Sequence, residues 1–410
     1  MLKFAVPGLL LVSSSAVALN GLRPIGVSAE SDALGGTGVS NFYNYYDALY
    51  KNPAMMATAP GQPGQSQGTF GMTYGAFSPE VRATTGADQA YKKPINDTSA
   101  VFPSSFGIGN KISNRFAMAT GFYGGGGGAD YGDKADSVYR AKSATKVWSL
   151  TSGLAFAFAR DSSVGINLTA TQVDTHASNL SPVKGVITET GGTAYTYGTL
   201  VGVRHQIDKA TIGVIYQPRQ LAYIEKARDI ENDGIKNDLS FTAVPTEVAT
   251  GVTWREDDWM IEADYRFLQW SQAEFLKSVG WKDQHVLAFG YEYGSKNRLR
   301  LGFNVSTDAV SSRGNTDGFA TSTVSGKQMI NLAADAFATT SGLGVTNEHY
   351  TIGSSHLLRD DLKLNSGLVY MVPGSITRTG TYAPPTGQRD YGWTAKFSGY
   401  TAQLDLSYLW

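Results

Sequence analysis

The chain has 410 residues, a formal net charge of -1 and no cysteine, and charged residues make up only 17% of it. The balanced charge and the lack of a basic run give no support to nucleic-acid binding, and the missing thiols exclude disulfides and cysteine-based metal sites. Soluble proteins carry about 25% charged residues, whereas this chain is rich in glycine (47) and tyrosine (22). No 18-residue apolar stretch follows the N-terminus, which excludes a helical membrane protein. The composition is that of a membrane β-barrel.

Residues 1–18 have the pattern of a secretory signal peptide. Lys3 precedes an apolar segment, Phe4 to Val12, and Ala16-Val17-Ala18 forms a cleavage box of small residues. A short buried helix is the alternative reading of the same residues. We predict that the mature chain begins at Leu19 and passes through an oxidising compartment, where a chain without cysteine cannot mispair.

Residues 19–62 do not alternate in polarity and carry helix-like and turn-like pieces before the first clear strand, Gln67 to Phe77. The interior of a large barrel has room for such a segment. A disordered tail is the alternative, but the aromatic content argues against it. We therefore predict a plug, here called the hatch (residues 19–62), inside a barrel formed by residues 63–410. The aromatic residues of the hatch are Phe42, Tyr43, Tyr45, Tyr46 and Tyr50.

After the hatch, short polar turns alternate with longer segments rich in Gly, Ser and Thr. Six turns and seven loops separate fourteen predicted strands, and tight turns on one side with long loops on the other are typical of outer-membrane barrels. The turns lie at Ser113-Asn114, Arg160-Asp161-Ser162, Asp208-Lys209, Glu256-Asp257-Asp258, Ser295-Lys296-Asn297 and Arg359-Asp360-Asp361. The loops are predicted at 78–97, 124–145, 176–193, 225–239, 276–281, 310–344 and 374–394.

The strands between these turns and loops alternate apolar with polar residues. The last one carries apolar residues from Tyr400 to Trp410 on one face and Gln403 and Asp405 on the other. At roughly 3.3 Å per residue and a tilt of about 40°, its two terminal aromatics stand about 25 Å apart along a membrane normal, the height of the apolar band of a barrel. A soluble sandwich would also alternate, but mid-strand charges such as Asp264 indicate a hydrated lumen.

Several short motifs occur in an order that resembles the FadL/TodX family of outer-membrane transporters of long-chain fatty acids and other hydrophobic compounds. They span the chain from about Asn20 to Trp410. The family has a fourteen-stranded barrel with an N-terminal hatch. The motifs are Asn20-Gly21, Pro24, Gly26, Leu34-Gly35-Gly36-Thr37-Gly38-Val39, Asp47-Ala48, Asn52-Pro53-Ala54, Val244-Pro245-Thr246-Glu247, Trp259, Trp270-Ser271-Gln272, Gly280-Trp281-Lys282-Asp283 and Leu301-Gly302-Phe303.

The resemblance implies a mechanism: a hydrophobic ligand is caught among the outer loops, enters a lumenal pocket, and leaves sideways at a kinked third strand after the hatch moves. That strand corresponds to Arg115 to Tyr123, and Gly124–Gly128 beside it is either part of the kink or a loop tip. The sequence departs from the family pattern at two places, and both bear on which class of ligand is bound. Loop 124–145 is short, and Ser28-Ala29 stands where the family often has glycine. The implied hatch motif comprises Gly35, Gly36, Gly38, Asn52, Pro53 and Ala54, and the implied lateral-opening residues are Phe116, Gly121 and Phe122.

For ligand contact, the resemblance favours apolar and aromatic hatch residues together with a basic group that pairs with a carboxylate head. Lys277 and Lys282 are the candidates for that basic group. Arg266 and Arg300 are further candidates, although a lumenal salt bridge with Glu262, Asp264 or Glu292 is the simpler expectation for them. The predicted ligand-binding set is Phe42, Tyr43, Tyr45, Lys277 and Lys282.

No enzymatic or cofactor motif accompanies these features. The sequence has no HExxH pair and no GxSxG elbow, so we expect no catalytic residue, no metal site and no cofactor. The acidic run Asp229 to Gly234 resembles a calcium loop, but Ser240 occupies the twelfth position in place of Glu. The sequence predicts a monomer in outer-membrane lipid that takes up hydrophobic molecules passively. A general porin for polar solutes and a membrane-embedded lipid enzyme are the alternatives.

Overall fold

The computed structural model describes residues 19–85, 95–96, 99–101, 104–131, 142–180, 187–230, 235–324, 326–340, 345–383 and 387–410. The predicted signal peptide, residues 1–18, lies outside the described residues. In the ranges that are described, no helix combines the length and the apolar character needed to cross a membrane.

Within the described residues, fourteen strands pair in antiparallel order and close into one barrel, as predicted. They are β1 (Ser66–Phe77 with Glu80–Ala83), β2 (Ile95–Asn96, Ser99–Val101 and Ser104–Lys111), β3 (Phe116–Asp130), β4 (Lys142–Ala157), β5 (Ser162–Leu180), β6 (Ile187–Ile207), β7 (Ala210–Gln217 with Gln220–Arg228), β8 (Asn237–Val244 with Thr246–Arg255), β9 (Trp259–Gln269), β10 (Gln284–Tyr293), β11 (Arg298–Ser306), β12 (Glu348–Arg359), β13 (Leu362–Tyr382) and β14 (Arg389–Leu409).

The barrel closes where β14 pairs with β1, from Gly399 opposite Phe77 to Leu409 opposite Gln67. Beyond the strands, the chain forms α1 (Ala29–Ala33), α2 (Tyr45–Lys51), α3 (Glu274–Ser278) and α4 (Asn331–Thr340), with 3₁₀ turns at Pro53–Thr58 and Trp270–Gln272. Two small hairpins pair Leu19–Asn20 with Arg23–Pro24 and Thr321–Val324 with Lys327–Ile330. The segment Arg313–Asp317 pairs in parallel with β13.

The alternation of polarity along the strands sets which side chains face outward. On β5, Leu168 is 69% exposed, while its neighbours Asn167 and Thr169 are each 4% exposed. On β14, Leu404 and Leu406 are exposed, and Asp405 between them is buried. The same parity is repeated around the barrel, so the outer surface is a continuous apolar belt and the inner surface that surrounds the hatch is polar. Such a belt requires an apolar surrounding phase.

All six predicted tight turns lie between consecutive strands, at one end of the barrel. The predicted loops are wrong where strands continue into them, at 78–97, 124–145, 176–193, 225–239 and 374–394. The third strand is also longer than predicted, because Gly124–Gly128 pairs with Ala144–Trp148 in β4 without a register shift. Composition reflects only the local conformational preference of a segment. A glycine-rich segment has little preference for the strand conformation, but backbone hydrogen bonds to a paired neighbour can hold it in a strand.

The long-loop half of the barrel interior is apolar and packed. α3, from the predicted loop 276–281, and α4, from the predicted loop 310–344, fold over the barrel, where Phe275 meets Phe337 edge to face with ring centroids 5.1 Å apart. A single buried cluster joins these loops to the inner wall and to Trp270, whose ring lies against Gly21 of the hatch. Among its members are Val173, Ala222, Ile224, Trp270, Phe275, Leu276, Trp281, Val310, Ala338 and Ile376. We call this set the upper apolar cluster.

The hatch lies on inward-facing glycines of the barrel wall. A Cβ atom on Gly165 would collide with the backbone of Pro53 and Ala54, and one on Gly213 would collide with the carbonyl of Val39. The same holds for other wall glycines whose neighbours are hatch atoms, namely Gly107, Gly109, Gly153, Gly202, Gly290, Gly302 and Gly367. The barrel wall has glycine at positions where the hatch lies directly against it, and this accounts for part of the high glycine content of the chain.

We predict that Gly165→Val displaces the hatch without preventing barrel formation. Valine suits a strand better than glycine, but its side chain would occupy the space of the Pro53–Ala54 backbone. The expected result is faster protease cleavage within residues 50–60 at an unchanged strand content by circular dichroism. Gly68→Val is the matched control, because Gly68 faces the ring of Trp410 and no hatch atom. Equal cleavage rates in the two variants would contradict the prediction.

Candidate functional site

The hatch is held by wall carboxylates that accept hydrogen bonds from its backbone. On β9, Oδ2 of Asp264 accepts the N–H groups of Gly38 at 2.9 Å and Val39 at 3.1 Å. On β14, Oδ2 of Asp405 accepts the N–H group of Ala29 at 2.6 Å. Both carboxyl groups are buried, so these bonds are made away from competing water, and losing one would leave a buried N–H group without a partner. They fix the hatch at two well-separated points of the barrel wall.

Wall amides satisfy carbonyl groups of the hatch in the same way. Nδ2 of Asn304 donates to the carbonyl of Gly35 at 2.9 Å, and Nε2 of Gln403 donates to the carbonyl of Val27 at 2.9 Å. A backbone group buried away from water without a partner costs free energy. The inward polar residues of the strands therefore take the place of water for those backbone groups of the hatch that have no partner within it.

An ion triad joins the start of the hatch to β8 and β9. Glu247 accepts Nε of Arg23 at 3.2 Å and Nε of Arg266 at 2.7 Å. The guanidinium of Arg23 also lies 4.1 Å from the ring centroid of Tyr50 and donates to Gln217 at 2.8 Å. The expectation that Arg266 forms a lumenal salt bridge holds, although its partner is Glu247 and not Glu262 or Asp264.

A second ion cluster lies on the other side of the hatch, at Glu30 of α1. Glu30 pairs with Nζ of Lys363 at 2.7 Å and with Nη2 of Arg300 at 3.3 Å. Burial alone would raise the pKa of Glu30, but the two cations outweigh it and hold the pKa below its ordinary value. Arg300 also pairs with Glu292 at 2.8 Å, as expected for a lumenal salt bridge.

The predicted hatch motif lies where the chain turns tightly against the wall. Gly35 and Gly36 have φ angles of +71° and +82°, a conformation that is costly for residues with a Cβ atom. Gly38, with φ of +139°, presents its N–H group to Asp264. The side chain of Asn52 caps the following turn through the N–H group of Ala54 at 3.0 Å and donates to the carbonyl of Val203 on β6 at 3.1 Å.

The predicted third strand faces the hatch through aromatic residues. Tyr123 of β3 lies 5.2 Å from Tyr50 and 6.3 Å from Tyr46 between ring centroids. Gly121, one of the predicted lateral-opening residues, faces Leu49 and Tyr46. This contact is where α2 of the hatch meets the wall, and the rings of Tyr46, Tyr50 and Tyr123 lie together inside the barrel at β3.

Pairing is asymmetric on the two sides of β3. On the β4 side the ladder runs from Phe116 to Asp130, whereas on the β2 side the described ladder ends at Ser105 opposite Tyr123. On the outer surface, Phe122 stacks on Trp148 of β4 with ring centroids 5.6 Å apart, and Phe116 is exposed in the apolar belt. Phe116 and Phe122 therefore face outward and Gly121 faces the hatch.

The five predicted ligand residues do not converge on one site. Tyr43 is buried, shares a hydrogen bond of 3.0 Å with Thr37 and donates to the carboxylate of Glu262. Phe42 and Tyr45 pack edge to face at 5.3 Å. Lys277 and Lys282 are exposed at the long-loop end, far from a cavity at the short-turn end that Phe42 and Tyr43 line.

Sequence reasoning identified Glu262, Asp264, Arg266 and Asp405 as inward polar residues but could not name their partners. It missed Glu30 and Arg23 of the hatch and Gln217 of the wall, and it placed Asn167 and Asn304 on polar strand faces without giving them a role. The available signal was parity, because each of these wall residues lies on the polar face of its strand. Parity shows that a residue faces the lumen, but it does not show which atom of the hatch lies opposite.

An acidic side chain also anchors α4 over the upper apolar cluster. Asp335 accepts from Nε of Arg313 at 2.7 Å, from Nη1 of Arg378 at 3.3 Å and from the hydroxyl of Tyr391 at 2.8 Å. Arg378 belongs to β13 and Tyr391 to β14, so the helix is tied to two adjacent strands. The upper apolar cluster is thereby covered from the long-loop side.

The barrel, its inner hatch and the covering loops can be compared with solved structures. The chain matches a FadL homologue of Pseudomonas aeruginosa with a TM-score of 0.70 at 13% identity, over 95% of this chain and 99% of that one. The fold is that of the FadL and TodX channels. The resemblance predicted from the motifs is confirmed at the level of the fold.

Two further structures agree with this assignment. The toluene transporter TodX of P. putida gives a TM-score of 0.66 at 13% identity, over 93% of this chain and 98% of that one. The toluene transporter TbuX of Ralstonia pickettii gives 0.63 at 16% identity, with the same coverage. No protein-family profile matches the sequence, and no curated protein matches it significantly.

We predict that Asp264→Ala loosens the hatch locally. The variant leaves the N–H groups of Gly38 and Val39 without their buried acceptor, at a cost of about 1–3 kcal/mol each. Hydrogen exchange of residues 36–40 should accelerate by more than tenfold, while exchange in β9 stays slow. Asp264→Asn retains one acceptor oxygen, so its exchange rates in residues 36–40 should lie between those of the native protein and those of Asp264→Ala. Unchanged exchange in Asp264→Ala would show that this carboxylate does not hold the hatch.

Proposed function

We propose that the protein is a passive channel of the bacterial outer membrane for the uptake of hydrophobic small molecules. The observation that carries the proposal is the content of the lumen: the hatch occupies it, and the upper apolar cluster fills its long-loop half. A porin for polar solutes needs an open, hydrated pore. An apolar interior instead favours ligands that gain free energy when they leave water. The TodX and TbuX structures, which share the fold, are described as toluene transporters.

The proposed path begins at the long loops. A ligand enters by displacing side chains of the upper apolar cluster, in which the Phe275–Phe337 contact joins α3 to α4. Fatty acids and aromatic hydrocarbons both fit the apolar character of this region. Lys277 and Lys282, exposed beside it, are proposed as contacts for an acidic head group when one is present.

The proposed release is sideways at β3 after a movement of the hatch. The shorter described ladder on the β2 side of β3, beyond Ser105–Tyr123, supports this route. Movement of α2 would separate Tyr46 and Tyr50 from Tyr123. Phe116, Gly121 and Phe122 would then border the opening. No catalytic step is part of the proposal, and the protein acts as a monomer in outer-membrane lipid.

Removal of residues 19–62 tests whether the hatch closes the channel. We expect the full-length mature protein to pass little current in a planar bilayer and the truncated protein to pass large, steady currents, because the short-turn half of the lumen is emptied and Trp270 of the upper apolar cluster loses its contact with Gly21. Large currents from the full-length protein would favour the porin. Similar small currents from both proteins would contradict the role of the hatch as a plug.

Substitutions in the upper apolar cluster test the ligand class. In a host that lacks its own channel of this type, we expect the double variant Phe275→Ala, Phe337→Ala to reduce uptake of radiolabelled oleate and toluene severalfold, because the contact between the buried ring of Phe275 and the partly buried ring of Phe337 is lost. Phe289→Ala is the matched control, since Phe289 lies in the outer belt. Equal uptake by the double variant and the control would contradict a passage through this cluster. Release of fatty acid from added phospholipid would instead support the lipid-enzyme alternative.

A further inference from the structure

A groove of about 410 Å³ on the outer surface of the barrel crosses the seam where β14 pairs with β1. Its floor is Ala402, a small residue paired with Leu368 of β13 on one side and Tyr74 of β1 on the other. We call it the seam groove. The large side chains around it belong to three strands and are Phe70, Met72, Tyr74, Leu364, Leu404 and Leu406.

Three outward polar side chains lie beside the seam groove in the apolar belt. On β12, Oγ of Ser354 lies 3.2 Å from Nε2 of His356, and on β13, Oγ of Ser366 lies 2.9 Å from Oγ of Ser354. His356 is exposed, and both serines are half-buried. His356 is paired with Leu364, and Ser366 with Leu404. Since directly opposed residues on one face of a sheet are within contact range, this polar cluster borders the groove.

The Ser354–His356–Ser366 cluster has one more hydrogen-bond donor than it can use. A neutral imidazole has one N–H group and each hydroxyl has one O–H group, which makes three donor hydrogens. The two bonds within the cluster use two of them, whichever tautomer the ring adopts. Among the described residues these side chains have no other hydrogen-bond partner, so one donor hydrogen is left over. In hydrocarbon such a donor is costly, because no water is present to accept it.

The cluster lies toward the short-turn side of the belt. His356 and Ser354 precede Arg359, the last residue of β12, by three and five residues. At roughly 3.3 Å per residue and a tilt of about 40°, they stand about 8 and 13 Å above Arg359. Arg359 lies over the ring of Tyr408, which is stacked on Trp410, and exposed aromatic residues at the end of a barrel mark the boundary between membrane and water.

The acceptors that a membrane offers just inside this boundary are the ester carbonyl groups of its lipids. The short turns of an outer-membrane barrel face the periplasm, so the leaflet beside the cluster is the inner one, which consists of phospholipid. An ester carbonyl has no donor of its own in the surrounding hydrocarbon. The spare hydrogen of the cluster and the lipid carbonyl are therefore complementary.

We propose that the seam groove and the Ser354–His356–Ser366 cluster form a binding site for one diacyl phospholipid of the inner leaflet. One ester carbonyl accepts the spare hydrogen, and the attached acyl chain lies in the groove over Ala402. Packing in the groove alone does not select this lipid, because lipid tails are as apolar as the leucine side chains that they touch. The ester contact is what selects it. The site is on the outer surface and does not depend on the proposed uptake route.

Native mass spectrometry of the full-length mature protein in dodecyl maltoside tests the site. The probes are a diacyl phosphatidylethanolamine and its dialkyl ether analogue, which has the same head group and chain length but no carbonyl group. We expect the native protein to retain the diacyl lipid about two- to tenfold better than the ether lipid, the effect of one hydrogen bond. Equal retention of the two lipids would overturn the proposed ester contact.

The triple variant Ser354→Ala, His356→Phe, Ser366→Ala removes every donor of the cluster and places apolar side chains in the belt, where the barrel tolerates them. We expect it to retain both lipids at the level of the ether lipid on the native protein. The matched control is Thr120→Ala, Ser152→Ala, which removes an exposed hydroxyl pair of 2.9 Å on β3 and β4 and should keep the native preference. A preference for the diacyl lipid that persists in the triple variant would overturn the proposal.

Ala402→Phe fills the floor of the seam groove and should lower retention of both lipids. Unchanged retention would show that the acyl chain does not lie there. A dimer in place of a lipid-bound monomer, lost in Ala402→Phe, would show that a second copy of the barrel covers the groove and would likewise overturn the proposal. Toluene uptake by the triple variant should remain at the native level, which separates a failure of this site from a failure of the proposed channel function.

The bound lipid should also stabilise the seam, because the groove has walls on β13, β14 and β1. The temperature at which the barrel unfolds in dodecyl sulfate, read from its gel mobility, measures this effect. We expect the diacyl lipid to raise that temperature more than the ether lipid in the native protein, and both lipids to act equally in the triple variant. A larger effect of the diacyl lipid in the triple variant would contradict the assignment of the contact to these three residues.

Discussion

The structure depends on one constraint: the hatch is buried inside the barrel, so every buried backbone polar group of the hatch must find a partner there. An irregular segment with two short helices leaves some of its N–H and carbonyl groups without a partner of its own, among them the N–H groups of Ala29, Gly38 and Val39. Asp264, Asp405, Asn304 and Gln403 supply these partners from the barrel wall. The polar residues on the inner faces of the strands therefore fix the position of the hatch backbone, and the wall glycines leave the room that this backbone needs.

Much of the barrel could be predicted from the sequence because two signals agree. Period-two alternation marks the two faces of each strand, and the six tight turns fix where strands end on one side. The long-loop ends were predicted poorly, since segments such as Gly124–Gly128 look like loops by composition but are paired in the structure. A strand that is stabilised by its neighbours' hydrogen bonds carries only a weak signal in its own sequence.

The sequence was enough to predict that the hatch exists, but not which residues of the barrel wall it contacts. Its glycines and Asn52-Pro53 follow from local rules, because positive φ angles and helix caps depend on a few consecutive residues. Pairs such as Glu30 with Lys363 join residues that are hundreds of positions apart. The predicted ligand residues show the same limit: Tyr43 lies beside Glu262, while Lys277 lies on a loop at the opposite end. Residue type alone did not reveal which end of the barrel each side chain occupies.

The seam of the barrel has a consequence for how the molecule is assembled. Ser66 and Trp410 exchange two backbone hydrogen bonds, of 2.8 and 2.9 Å, at the end of the ladder that joins β14 to β1. The cylinder cannot be sealed until the last strand has been delivered to the first. Ser66 is also the first residue of β1 after the hatch, so the hydrogen bonds with Trp410 fix the point at which the hatch leaves the wall. A defect at Trp410 would therefore loosen the seam and the tether of the hatch together.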